Sequence, residues 1–453
     1  MSKFQEIESL FTLSPDLVKR ISSSIVNDLE HGLSHTDSEV IGQIPSYVTS
    51  LPTGKETGTY LAIDLGGTNL RTAAVTLLGD GQVGVNMRKY AISTEIRQGE
   101  GSRLFDWIAD CTADLLQDTT ISVGTANFHM GVTFSFALNQ TSINRGIVGK
   151  MGKGFNLSGV KGHDLKDLLE AGFKRKGLDN IVVSAIINDT VGTLVSHAYV
   201  SPSTKIGLIL ATGTNAAYLE SGAKIAKYTG PEVEQMILNT EYSTMARDTL
   251  PYTKYDDELD VETFTPGFQR LEKMVSGMYM GEIARRIMVD LCANNELFGG
   301  KLPSNLDKPY EFKTLFMSTI ESDPNPDHPN AEAIFVKHFP LQQPMTNDDR
   351  TKIHRICKLI ATRSATIVGA SIAALLLQAN NKTVSLDNDD VITIGIDGSV
   401  YEFYPYFAQR IRRSMELILG PERVARIKLE LARDGGCIGS ALVAMVAATK
   451  QTN

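Results

Sequence analysis

The pattern that most constrains the fold of this chain is a strand–turn–strand unit used twice. Residues 60–63 read as a short buried strand and residues 72–77 as its return, across the Gly-rich turn Asp64-Leu65-Gly66-Gly67-Thr68-Asn69. In the second half, residues 206–210 lead through Ala211-Thr212-Gly213-Thr214-Asn215 into a second strand over 217–219. Gly67-Thr68-Asn69 and Gly213-Thr214-Asn215 fall at equivalent places in the two units, a sign of internal duplication that three matching residues alone support only weakly. A length of 453 residues agrees with two domains, because one hydrophobic core stops growing well below that size. A cleft between them is then the natural ligand site.

The stretches between these units mix helix and strand in the α/β manner. Ser14 is an N-cap with Pro15 at the first helical position, and Leu17, Ile21, Ile25 and Leu29 recur at helical spacing up to Gly32. The polar face of this helix carries both signs of charge, so it is expected to pack on a domain rather than to lie on a membrane. A turn at Gly79-Asp80-Gly81 precedes a third strand over 83–92; helical spacing follows at 103–117, and strands are expected at 130–136 and 181–187. The first domain is expected to span residues 1–198 and the second 199–453. Helical patterns run over 267–297, 351–378 and 437–449, the last rich in Gly, Ala and Ser, which permits close backbone approach.

With 42% apolar and 21% charged residues, the chain has the makeup of an ordinary globular protein. Its net charge of −8, with no Lys/Arg block, argues against a nucleic-acid partner. Cys111, Cys292, Cys357 and Cys437 form no C-x-x-C pair, so reduced thiols are expected rather than a zinc or redox motif. No leader pattern is evident and no stretch approaches the ~18 apolar residues of a membrane span, so a cytoplasmic protein without a membrane partner is expected.

Five segments carry candidate chemistry. From Asp64 to Arg71, a carboxylate at a strand end precedes two glycines, a hydroxyl, an amide and a guanidinium. Gly66 and Gly67 let backbone N–H groups approach phosphate oxygens, Thr68 and Arg71 add donors, and Asp64 can hold Mg²⁺ through its water shell. The turn suits the β- and γ-phosphates of ATP, and a hairpin bend that needs only flexible glycines fits the same residues; it is neither a Walker loop nor a G-x-G-x-x-G. Thr212-Gly213 is a second candidate turn for phosphate or sugar, and equally a plain turn. Asp397-Gly398-Ser399 and Asp434-Gly435-Gly436 are further Asp-Gly turns at strand ends. Asn188-Asp189-Thr190 places an amide and a carboxylate where the run 181–187 emerges. Phosphoryl transfer to an alcohol needs a carboxylate to accept the hydroxyl proton, which Asp189 fits; an Asx turn or a helix cap is the other reading.

These segments together resemble the eukaryotic hexokinase and glucokinase family over residues 10–448. The resemblance is carried, in order, by LAIDLGGTNLR at 61–71, TFSF at 133–136, KGF at 153–155, NDTVGT at 188–193, TGTNAAY at 212–218, NTE at 239–241, LEKMVSGMYMGEIAR at 271–285, IDGSVY at 396–401 and ARDGGCIGSAL at 432–442. It implies a two-lobed α/β fold of the actin-like ATPase (ribonuclease H-like) type, with small and large lobes around a central cleft and the last helix packing back on the small lobe. It further implies ATP, Mg²⁺ and a hexose as ligands, in a monomer or homodimer, with the γ-phosphoryl group passing to the sugar's 6-hydroxyl. By carry-over Asp189 is the base, and Lys153 holds the sugar and the transferring group together with Arg71. Ser135, Asn188, Asn215, Glu241 and Glu272 bond the sugar hydroxyls. Asp64, Gly66, Gly67, Thr68, Asn69 and Arg71 form the first phosphate turn and Thr212 and Gly213 the second, with Asp397, Gly398, Ser399, Gly435 and Gly436 on the adenosine side.

The chain departs from the family in the sugar-pocket segments. Met151-Gly152 stands where the family has Trp-Thr, Ala137 where it has Pro, and Tyr242-Ser243-Thr244-Met245-Ala246 where it has Trp-Gly-x-Phe-Gly. A roomier pocket with an apolar lining from Gly152 and Met245 makes N-acetylglucosamine the leading expectation, since an acetamido group needs both. Glucose is the close alternative. A regulatory protein that binds sugar without turnover is the third, opposed by retention of Asp64, Arg71, Lys153 and Asp189.

Overall fold

The computed structural model describes residues 2–35, 42–117, 127–152, 154–379 and 384–451. Helices α1 (Lys3–Phe11) and α2 (Pro15–Ser34) start at local caps. Ser2 forms a capping box with Gln5, and the Ser14 side chain accepts from the Leu17 N–H ahead of Pro15. The strands β1 (Thr57–Leu65), β2 (Asn69–Gly79), β3 (Gln82–Ala91), β4 (Phe128–Phe134) and β5 (Ile181–Ile187) form one sheet in the order β5-β4-β1-β2-β3. Within it β1, β2 and β3 are an antiparallel meander, while β4 runs parallel to β1 and β5 to β4.

The second half repeats the device. The strands β6 (Thr204–Leu210), β7 (Thr214–Ser221), β8 (Gln235–Asn239), β9 (Ile392–Asp397) and β10 (Ile427–Leu431) lie in the order β8-β7-β6-β9-β10 with the same senses, and Ile44–Pro45 adds to the edge at β8. What three matching residues showed weakly in sequence is a repeated five-strand topology in space.

Side-chain alternation along β1 divides the first lobe into two layers. Leu61, Ile63 and Leu65 pack with Leu104, Phe105 and Ile108 of α3 (Gly101–Gln117) and Leu165 and Leu169 of α4 (Leu165–Arg175). On the other face, Ala62 of β1 and Ala73, Val75 and Leu77 of β2 meet Val191, Leu194 and Val195 of α5 (Asp189–Val200). The second core is centred on α6 (Asn347–Ala379). Its length and apolarity would suffice to cross a membrane, contrary to the reading that no stretch does, but 83% of its apolar window is buried in protein. Arg363 of α6, 1% exposed, is paired with Asp256 at 2.7 and 2.8 Å and lies 4.3 Å over the Phe11 ring, which ties α6 to α1. The final helix, α7 (Gly435–Gln451), contributes Cys437, Ala441 and Leu442 to the layer that holds α5.

Each lobe is completed by a helix from the other half of the chain. Ile7, Phe11, Val18, Ile21, Ile25 and Leu29, from ahead of the first sheet, are buried in the second core with Leu208 and Tyr218. The apolar stripe of α2 finds its cover there, on the far side of the cleft from the sheet that follows it in sequence.

Gly131 of β4 lies directly under α7, where an added Cβ would stand 1.9 Å from the Ser440 carbonyl oxygen. Gly131→Ala is expected to push α7 off the sheet and cost about 1–3 kcal/mol. A urea midpoint equal to that of the parent would show that the contact tolerates a methyl group.

Candidate active site

The C-terminal ends of β1, β4, β5, β6 and β9 and the first turn of α7 surround a cavity of about 340 Å³, lined by Asp64, Ser135, Asp189, Thr212, Asp397 and Gly436 among others. Ligands of α/β folds bind at this end of their strands. Asp64 and Arg71 are direct partners in the β1–β2 register, and their side chains pair at 2.8 Å. The turn between them closes on itself: the Gly66 N–H donates to the Asn69 carbonyl at 3.0 Å and the Ile92 N–H to the Thr68 carbonyl at 2.9 Å. Gly66, Thr68, Asn69 and Arg71 face the cavity, whereas Gly67 does not line it. Across from them, a Cβ on Gly436 would come 2.8 Å from the Asp64 carboxyl carbon, so only glycine lets α7 start there. Gly435 is turned to α5, against Thr193.

The helix cap falls on Asn188 rather than Asp189. The Asn188 side-chain oxygen accepts from the Thr190 N–H at 2.9 Å and the Thr190 hydroxyl at 2.6 Å, so Asn188 is the cap of α5. Asp189, the first helical residue, faces the cavity and also accepts from the Thr190 N–H at 2.9 Å. A carboxylate is favoured at that end of a helix. The Asp397 carboxyl is pushed up to about 6 by burial first, with Asp434, Asp189 and Asp64 adding to the rise and Arg71 opposing it. Gly398, at φ 137°, keeps the end of β9 against β6, where a Cβ would strike the Leu210 carbonyl; Ser399 is exposed outside the cavity. Asp434, read in sequence only as a turn residue, thus belongs to the same electrostatic cluster. Among the described residues no three His, Cys, Asp or Glu stand close enough to hold an ion directly. That donor set fits Mg²⁺ carried on phosphate oxygens, with water between the ion and Asp64, and the crowding of negative charge at Asp397 is what such a cation relieves.

The second turn is built by a break that the sequence pattern hides. The helical spacing over 267–297 is two helices, Arg270–Val275 and Met280–Ala293. Between them the Gly277 N–H reaches the Ala211 carbonyl at 2.8 Å and the Met278 N–H the Thr212 carbonyl at 3.3 Å. Glu272, on the first piece, accepts from the Thr214 N–H at 2.9 Å, and Gly213 lies so close that a Cβ would be 2.5 Å from Glu272 Oε2. Beside it, Asn215 Nδ2 donates to Glu241 Oε1 at 3.1 Å and to Asn239 Oδ1 at 2.8 Å, while Asn239 Nδ2 donates to the same Glu241 oxygen at 2.9 Å. Asn239 was not singled out in sequence, although it opens the NTE segment two residues before Glu241.

The loop carrying Lys153 is only partly defined, and Lys153 itself lies outside the described residues. Its neighbours are tied to the phosphate turn by Arg97, another residue missed in sequence. The Arg97 carbonyl accepts from the Asn156 N–H at 2.8 Å, its guanidinium lies 5.9 Å from the Phe155 ring, and its Nη2 donates to the Ile92 carbonyl at 2.9 Å. Two of the departures do not open the pocket. Met245 is 1% exposed and belongs to the second core, and Met151 is buried in the first, so neither lines a sugar site. Gly152 and Ala137 are exposed, and nothing lies within 4 Å of a Cβ added at Gly152.

Because Asp397 holds its proton more tightly when folded, its ionisation weakens the folded state. The stability present below the ordinary aspartate value of 3.8 is lost as pH rises toward about 6. Ligand-free Asp397→Asn is therefore expected to melt above the parent at pH 7, with the gap closing as pH falls to about 4. A melting difference that does not vary with pH would refute the charge-crowding account.

Comparison with known proteins agrees with this geometry across both lobes. Family profiles described as Hexokinase match residues 3–199 and 205–446. Hexokinase-1 of Schizosaccharomyces pombe is 37% identical over 449 residues, covering 98% of this chain and 90% of the relative, and the hexokinase of Schistosoma mansoni is 35% identical, covering 98% and 96%. The solved structure of Schistosoma mansoni hexokinase complexed with glucose has a TM-score of 0.84 at 34% identity over 98% of both chains, and a second hexokinase crystal structure has 0.86 at 28% identity over 99% and 98%. The repeated sheets are thus the two-lobed α/β fold of sugar kinases. With both halves matched over nearly its whole length, the chain belongs to the hexokinase family and is a sugar-kinase phosphotransferase.

Proposed function

We propose that this chain transfers the γ-phosphoryl group of ATP to the 6-hydroxyl of an unsubstituted hexose, glucose foremost, with Asp189 as the base. The observation that carries the reading is the placement of Asp189 at the head of α5, in the same cavity as the Asp64–Arg71 turn. There it can take the hydroxyl proton as the new phosphorus–oxygen bond forms. Arg71, held by Asp64, and the N–H groups of the first turn receive the phosphate oxygens; Lys153, by resemblance, adds a cation from the sugar side. Magnesium, when bound, spreads the charge developing on the phosphate oxygens. Ser135, Asn188, Asn215, Glu241 and Glu272 hold the sugar hydroxyls, with Asn239 fixing the amide of Asn215 against Glu241. Closing the lobes over the sugar would exclude water as a competing acceptor.

For the hexose, the structure weakens the case for N-acetylglucosamine. That reading needed room and an apolar wall, and Met245 supplies no wall because it lies in the core. The sugar named in the solved relative's complex is glucose. The exposed positions Gly152 and Ala137 are what still favour a larger substituent. Purified enzyme assayed with glucose, fructose, mannose and N-acetylglucosamine is expected to show its highest kcat/KM on glucose; highest kcat/KM on N-acetylglucosamine would overturn the choice, and no hexose-dependent ADP formation would favour a sugar-binding regulator. Asp189→Ala is expected to lower kcat by on the order of 10²- to 10⁴-fold while glucose binding persists. A near-normal kcat in that variant would remove Asp189 from the role of base.

A further inference from the structure

Between the two carboxylates assigned to the sugar stands a phenol to which the kinase reading gives no role. Tyr242 is 0% exposed and directly follows Glu241, whose backbone is left-handed at φ 48°, ψ 37°. A glutamate keeps that conformation only where its surroundings enforce it. The Tyr242 hydroxyl is bonded to Thr214 Oγ1. Thr214 Oγ1 in turn donates to the Ile209 carbonyl at 3.0 Å, so its one proton is committed and the phenol must be the donor. Burial raises the phenol's pKa and keeps it protonated for that purpose. The same Thr214 presents its N–H to Glu272 at 2.9 Å. On the other side, the Tyr242 N–H donates to Thr240 Oγ1 at 3.3 Å and its carbonyl accepts from the Met245 N–H at 3.0 Å, which locks the turn below Glu241.

We propose that Tyr242 is a positioning residue that sets Glu241 and Glu272 relative to each other, and thereby selects which pair of hexose hydroxyls the cleft accepts. The proposal rests on the assignment of these two acids to the sugar and deepens it. Tyr242 reaches Glu241 through the peptide that joins them and Glu272 through Thr214, so a single buried hydroxyl governs both acids. Hydroxyls bridging two carboxylates gain most when the acids are already at the right separation before the sugar arrives.

Hexose binding is measured by calorimetry without nucleotide, with steady-state kinetics alongside, for the parent, Tyr242→Phe, Thr214→Val and the double variant. Tyr242→Phe keeps the ring and deletes the hydroxyl. Its Kd and KM for glucose are expected to rise about five- to tenfold, with kcat and the KM for ATP changed by less than about twofold. Thr214→Val breaks the same bond from the other side and serves should Tyr242→Phe fail to fold. The double variant is expected to bind no worse than the weaker single variant, because both remove one interaction. A lowered melting temperature with unchanged glucose Kd and KM in both single variants would make Tyr242 a packing residue only and overturn the inference. A parent that binds glucose but forms no ADP would sink the kinase reading, and the Kd values would still decide this one; a parent that binds no hexose would overturn both.

Discussion

The cleft depends on two helices whose backbones touch. A Cβ on Gly192 of α5 would come 2.7 Å from the Gly435 carbonyl oxygen, and one on Gly439 of α7 would come 2.2 Å from the Gly192 carbonyl oxygen. These helices follow the fifth strands of the two sheets, so they are equivalent parts of the repeated topology and meet where the two repeats join. Asp189 begins one of them and Gly436, facing Asp64, lies in the first turn of the other. Drawing the helices together is therefore what draws Asp189, the Asp64–Arg71 turn and Asp397 into one cavity. Side chains at those glycines would hold these groups apart.

Elements whose signal is local were legible in the sequence. The meander at 57–91 is bounded by Gly turns, its first two strands are buried on both faces along much of their length, and β5 is found at 181–187 as its apolar run placed it. The phosphate turn could be read because glycine, carboxylate and guanidinium lie within a few residues of one another. Asp189 was ambiguous for a physical reason: a cap and a base call for the same residue types at a strand end, and only the hydrogen bonds of Thr190 assign the cap to its neighbour.

What stayed hidden depends on contacts distant in sequence. The break at residues 276–279 interrupts no apolar spacing; its cause is the turn at Ala211–Thr212, which captures the freed N–H groups. Asn239 and Asp434 resemble ordinary turn residues until their partners arrive from other strands. Met245 shows the same limit from the opposite side. A change of residue type is visible in sequence, but whether the side chain lines a cavity or joins the core is not, and here it joins the core.

The interleaving of the lobes bears on the birth of the protein. The stripe of α2 is made early, yet the strands and the α6 helix that cover it are translated far later, and one layer of the first sheet waits for α7 near the end. Order of synthesis and order of burial are thus opposed. Apolar surface on both lobes must stay uncovered through most of translation, the interval in which a nascent chain of this size is most exposed to aggregation and to chaperones. Neither half could be expected to fold alone when cut near the link between the sheets, because each would lack a helix that only the other supplies.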